Sequence, residues 1–402
     1  MIIKNCNLIN MAGIYEEKKD LVVRDGKIYD ICDDVVVFLH SVICDDAVEK
    51  YHIGHISIDA CGSFVTPGIV EPHCQLGVKE QIHRFEGNDA DETTDPVLPQ
   101  LRALDAVNPD DEGFRMALAG GVTTAVACPG DANLIGGTCA ALKTAGRTVE
   151  DMVMVPELAF HLCLNDGVKS TYSGKQAPKT RMASAALIRE ALIKAKNYRD
   201  QWKASKEDPQ QKPPKFDMKL HSLMRVYDGM LVKISALRSY DMMTAVRIAE
   251  EFGLNYTIDN CVEAWLIPEE LKAHKTRCVI GPAYGGKRSS EFKNRDTIVG
   301  SVMEDHGIDF AVSTGHPDVN IELSMVHLTM MHKKGLSRMA ALEAATINAA
   351  RFCGLDDRVG SLEPGKDADI VIWDGDPLDY YTSAATVLIK GGVVYQNKNR
   401  EA

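Results

Sequence analysis

Along the chain, one short hydrophobic-to-polar run predicts more than any other. In residues 66–77, TPGIVEPHCQLG, a Pro-Gly turn precedes Ile69-Val70, and the polar His73 and Gln75 follow. The pattern predicts a buried strand that ends in polar residues. His73 and Gln75 lie two apart, so they share one face. A β/α barrel presents its chemistry in this way, at the C-terminal ends of its strands. Residues 110–121 predict a helix capped by Asp110 or Asp111, filled by FRMALA and ended by Gly120-Gly121. VTTAVACPG then reads as a strand, and LAFHLCL (158–164) as another. A long helix is predicted from Arg181 to about Lys203, and the Pro-rich, charged stretch 206–217 as an exposed loop. LVKISAL (231–237), NYTIDN (255–260), RCVIGP (277–282) and DFAVST (309–314) read as strands, and SYDMMTAVRIAEEFG as a helix ended by Gly253.

This alternation argues for a parallel sheet. An α/β fold follows, as a closed (β/α)8 barrel over 66–357, with a doubly wound open sheet as the alternative. The two ends differ from the middle. Asp25-Gly26 marks a hairpin near the N-terminus, and Gly391-Gly392 marks another in ATVLIKGGVVYQN. Residues 1–65 and 358–402 are therefore expected to share one small β-sandwich.

Composition narrows the function. The chain has 402 residues, 45% hydrophobic and 25% charged, as in ordinary globular proteins. A net charge of −12 argues against nucleic acid or an anionic membrane as the main partner. No apolar run reaches the length of a membrane span, and MIIKNCNLIN lacks the features of a signal peptide. The eleven scattered cysteines contain no CxxC pair and read as reduced, mostly buried thiols. A cytoplasmic location is expected.

Several long stretches carry a family resemblance: residues 66–77, EGNDADETTDPVLPQLRALDAVNPDD (86–111), ALAGGVTTAVACPGDANLIGG (117–137), QAPKTRMASAALIREAL (176–192) and VGSLEPGKDADIVIWDGDPL (359–378). The chain resembles the metal-dependent amidohydrolases, in particular the imidazolonepropionase-like group. That resemblance implies a hydrolase of non-peptide C–N bonds. One or two divalent, zinc-type metals would sit at the barrel mouth and acidify a bound water, with a strand-eight aspartate as base. Aligned on those motifs, His73 matches the first ligand and Gln75 replaces the second. Asp166 falls at the strand-four carboxylate position, with His161 nearby. Ser235-Ala236-Leu237 replaces His-Ala-His, Asn260 replaces the strand-six histidine, and Gly315 replaces the aspartate base. The flanking Lys233, Asp259, Glu263, His316 and Pro317 match.

Only His73 and Asp166 survive as metal candidates, whereas a catalytic site needs about three protein ligands. Cys74 and Cys261 adjoin replaced ligands, but strand alternation turns them toward the helix layer. His316 is the one candidate base. His83, His221, His327 and His332 read as packed or solvated histidines. GDANLIGG and GPAYGGK lack the phosphate-loop pattern and read as barrel loops, with DANLIGG placed to line the pocket near His73. The leading expectation is a non-catalytic barrel without a tightly bound metal. His73, Gln75, Asp166, Ser235, Asn260, Gly315 and His316 would form its small-molecule pocket, and it would act as a homodimer or beside an active relative. The runner-up is a hydrolase of cyclic amides with an atypical or single-metal site. Metal-free chemistry built on His73, His316 and a mouth thiol ranks third.

Overall fold

The computed structural model describes residues 1–12, 15–33, 57–81, 85–174, 177–208 and 210–397. His83, Lys175-Gln176, Pro209 and residues 34–56 and 398–402 lie outside the described residues.

The middle of the chain forms a nearly closed barrel of eight strands. In chain order they are Ile69–Cys74, Val122–Ala127, Ile135–Lys143, Val153–Cys163, Leu231–Ser235, Tyr256–Asp259, Cys278–Ile280 and Phe310–Val312. Each strand pairs with the next. Pairing is parallel at the first junction and throughout the last five strands. The third strand, Ile135–Lys143, runs antiparallel to both of its neighbours. This corrects two expectations. The all-parallel alternation is broken, and the loop predicted over GDANLIGG ends at Leu134, where the third strand begins. The GG pair concealed it, because Ile135 is followed by two glycines that score as loop. At Gly137, a Cβ would stand 2.4 Å from the Leu101 carbonyl oxygen, so only glycine fits the strand there.

Caps and turns follow their local chemistry. Asp111 caps the helix Glu112–Ala119 by accepting from the Gly113 N–H, and Gly120 ends it. Gly253 ends Ser239–Phe252 in the left-handed region. The helix predicted from Arg181 runs to Glu207, four residues past the expected end.

The two chain ends meet in one second sheet of eight strands, drawn from residues 2–67 and 370–396. The C-terminal motif locks this sheet to the barrel. Lys143, buried at the end of the third barrel strand, lies 2.5 Å from Asp369 and 3.1 Å from Asp367. Asp367 also meets Lys27 and Arg358. Burial works against its charge, but these cations prevail and hold its pKa at about 2. Among the described residues, no helix is long and apolar enough to cross a membrane.

The barrel closes without a strand ladder between its last and first strands among the described residues. Side chains and loop backbone bridge that seam instead. Ser313 Oγ donates to the His73 carbonyl at 2.6 Å. The Gln75 N–H donates to the His316 carbonyl at 2.8 Å, and Glu71 accepts from Thr314 N and Oγ1. Gly281 sits beside the seam with φ +152°, where a Cβ would fall 2.0 Å from the Ser313 carbonyl oxygen. Gly281→Ala is therefore expected to destabilise the protein by about 2–3 kcal/mol, read as a lowered urea midpoint. An unchanged midpoint would show that the backbone is not tightly packed where the seventh and eighth strands end.

Candidate functional site at the barrel mouth

The site begins with one buried carboxylate. Asp259 ends the sixth barrel strand, and its Oδ2 lies 2.7 Å from His73 Nδ1 and 2.8 Å from Lys233 Nζ. Its Oδ1 accepts from Thr257 Oγ1 at 2.7 Å. Asp259 and Lys233 are wholly shielded from solvent, and His73 is nearly so. Burial opposes the Asp259 charge, but Lys233 and then His73 outweigh it and hold its pKa below the usual carboxylate range. Lys233 is raised in turn: burial opposes its charge and Asp259 outweighs that. For His73, burial also opposes the cation, while Cys128 and Asp259 lift its pKa above that of a free imidazole. Burial keeps Cys128 a neutral thiol, so Asp259 supplies the charge that acts.

Above this triad lies a cavity of about 320 Å³. Of the residues singled out from sequence, His73, Gln75, Asn260, Gly315 and His316 line it. Ser235 lies just beneath. Its hydroxyl accepts from Asn260 Nδ2 at 2.7 Å and Asn165 Nδ2 at 2.8 Å, and donates to Asp131 Oδ2 at 3.1 Å. One donor and two acceptors is all a serine hydroxyl has. Asn165 also donates to Asp131 Oδ2, and its Oδ1 accepts from the Leu237 N–H.

Asp166 is a correction. It is not among the side chains lining the cavity. It opens the helix Asp166–Tyr172 and pairs with Lys169, with Arg238 at 3.1 Å and with Arg181 at 3.7 Å. Burial opposes its charge, but these cations hold its pKa down. Its neighbour Gly167 meets the cavity instead. Cys74 reaches the cavity wall, although its Sγ points to the Val126 carbonyl at 3.4 Å. Cys261 Sγ points to the Ile258 carbonyl at 3.0 Å.

Asp91 and Asp131 line the cavity and were not singled out from sequence. Asp131 lies in the stretch DANLIGG and follows the second barrel strand, a mouth position by topology. Asp91 arrives from a long loop with no periodic signal. His161, on the fourth strand, is fully buried with Nε2 3.3 Å from Asp131 Oδ1, and its ring lies 5.3 Å from that of His73. His316 accepts from the Ile321 N–H through Nδ1, and burial lowers its pKa to about 4. His327 accepts from the Ala283 N–H and is also held near 4, by burial and then by Arg295. His332 bonds the Leu336 carbonyl, and His221 packs among Trp202, Tyr198 and Phe216.

The donors at the aligned positions differ from those of a zinc-type site. They hold one imidazole, two amides, a hydroxyl and a glycine, with Asp166 turned to Lys169, Arg181 and Arg238. Amide and hydroxyl oxygens are weak zinc ligands. Among the described residues, no three His, Cys, Asp or Glu side chains are grouped to hold a metal ion.

Comparison with known proteins gives a consistent lineage. The model of the Amidohydrolase family matches residues 64–397. The crystal structure of an amidohydrolase from Thermotoga maritima MSB8 superposes with a TM-score of 0.90 at 30% identity, covering 98% of this chain and 100% of that one. Amidohydrolase tasK of Hapsidospora irregularis is 25% identical over 363 residues, which span 84% of this chain but 37% of tasK. The imidazolonepropionase of Geobacillus kaustophilus is 39% identical over 106 residues, 24% of each chain. The chain thus covers little more than a third of the first curated relative's length, and less of the second's.

Two outcomes follow from the buried charges. Asp259→Asn leaves Lys233 and His73 without their counter-charge and is expected to cost about 3–5 kcal/mol, read from chemical denaturation. A loss under 1 kcal/mol would show that the triad is not a charge unit. His316 and His327 are held neutral in the fold, whereas the unfolded chain takes up protons below about pH 6.5. Their contribution is complete above that pH and is lost as the pH falls toward 4. The urea midpoint should drop across this window, and His327→Gln should shallow the drop. An identical slope in that variant would refute the assignment.

Proposed function

The chain belongs to the amidohydrolase family, and we propose that its barrel mouth binds a small polar ligand and no longer hydrolyses C–N bonds. The carrying observation is the hydroxyl of Ser235. In the segment where the resemblance implies His-Ala-His, this group is saturated by Asn165, Asn260 and Asp131. Ser235 therefore has no lone pair left for a metal. The lost base points the same way. Gly315 has φ +59°, and a Cβ there would lie 3.1 Å from Pro282 Cδ, so the backbone has settled around glycine.

In this reading each group keeps a definite task. Asp259 fixes the His73 ring by its contact at Nδ1, and Lys233 balances the charge of Asp259. His316 is held in its neutral form, with Nδ1 accepting from the Ile321 N–H. Asn260 and Gln75 supply amide groups to the cavity wall. The competing reading, a C–N hydrolase with an atypical single-metal site, draws on relatives named as imidazolonepropionases and deaminases.

The protein as isolated should carry well under one equivalent of zinc, manganese or iron by elemental analysis. It should not cleave cyclic or N-acyl amides above background, and Gly315→Asp alone should restore nothing, because a base needs an acidified water to act on. The fourfold change Gln75→His, Ser235→His, Asn260→His and Gly315→Asp should restore metal binding before rate. Stoichiometric metal in the unaltered protein, lost on His73→Ala, would overturn the proposal in favour of the hydrolase.

A further inference from the structure

The anionic wall of the cavity is built, not incidental. Asp91 Oδ1 accepts from the Ala132 N–H at 3.0 Å. Gly130 makes that approach possible, since a Cβ there would lie 2.3 Å from the same oxygen. The two loops are stitched further by the Gly130 N–H to the Ala90 carbonyl and by Asn133 Nδ2 to the Glu92 carbonyl, at 2.8 and 2.6 Å. Asp131 is pinned by its other oxygen, through Asn165 and Ser235. Two carboxylates are thus fixed on one wall of a cavity of about 320 Å³.

Their charge is only partly matched inside the protein. Asp131 Oδ1 has His161 Nε2 3.3 Å away, without an aligned hydrogen bond. Asp91 accepts from a backbone N–H and enters no ion pair among the described residues. His316, which adjoins the cavity, is wholly buried, and its Nε2 lies against Gly113, where a Cβ would stand 3.1 Å away, so that nitrogen is closed to a ligand. Lys79 lines the cavity too. The wall of Asp131 and Asp91 therefore sets the charge preference of the cavity.

We propose that the ligand of this cavity carries a cationic nitrogen, a protonated amine or guanidine, seated on Asp131 and Asp91. This rests on the ligand-binding reading above and supplies its chemical class. A guanidinium suits the site, because its forked N–H groups match a carboxylate edge. Asp259 is shared between His73 and Lys233, so the cavity wall of Asp131 and Asp91 stands near a triad with one carboxylate for two basic groups.

The test uses a matched pair of probes, 4-guanidinobutanoate and its neutral isostere 4-ureidobutanoate, titrated calorimetrically into the full chain. The guanidino compound should bind at least about tenfold more tightly. That preference should vanish in Asp131→Asn and shrink in Asp91→Asn. Melting curves by circular dichroism verify that each variant folds. If Asp131→Asn does not fold, Asp91→Asn decides. Equal affinity for the two probes, no binding of either, or a charge preference that survives both carboxylate changes overturns the proposal. So does zinc binding that excludes the guanidino compound and is lost in Asp131→Asn. Hydrolysis of amides by metal-loaded protein would instead overturn the ligand-binding reading, with the cationic preference still readable as a KM difference between the probes.

Discussion

One oxygen atom carries the interior of this barrel. Asp259 Oδ2 takes both the His73 imidazole and the Lys233 ammonium in a space closed to water. Removing three ionisable groups from solvent is costly, and their mutual attraction offsets that cost only where the geometry is good. Here the second oxygen is also satisfied, by Thr257. Three strands, the first, fifth and sixth, are therefore held in fixed relation by charge as well as by backbone pairing. The orientation of His73 at the mouth follows from that arrangement.

The layer above is governed by saturation, not by charge. Ser235, Asn165 and Asn260 form a connected polar group in which the hydroxyl has no capacity left. Such a network stabilises only if each member finds partners. A single histidine introduced at 235 would break three hydrogen bonds and leave Asn260 Nδ2 without that partner, while Asn165 and Asp131 keep their bond to each other. Of the altered positions, Ser235 and Asn260 are thus hydrogen-bond complements.

How much of this was legible in the sequence differs by residue. His73 and Gln75 could be placed because strand alternation fixes their shared face once Pro67-Gly68 is read as a turn. The convergence of Asn260, Gly315 and His316 at the mouth followed from strand ends. Asp166 was misjudged because sequence position cannot report three basic neighbours, two of them, Arg181 and Arg238, brought from other elements. Asp91 was invisible for a related reason: its role depends on Gly130 lacking a side chain, a contact across 39 residues of chain. The antiparallel third strand was hidden by its glycines: Gly137 pairs with His161 across a register shift, and the strand joins the second only from Ala140 to Lys143.

That third strand also changes the entropy of assembling the barrel. It pairs back with the second strand across 13 to 19 residues, from Ala127 with Ala140 to Thr124 with Lys143. The seam joins groups 240 residues apart, Ser313 and His73. Chain-closure cost rises only with the logarithm of loop length, so the first kind of contact is cheaper to close by roughly 2 kcal/mol. The barrel therefore has one half, with Asp131 and His161, whose pairing is local. The junction that brings His316 against His73 has to be gathered from the far ends of the domain.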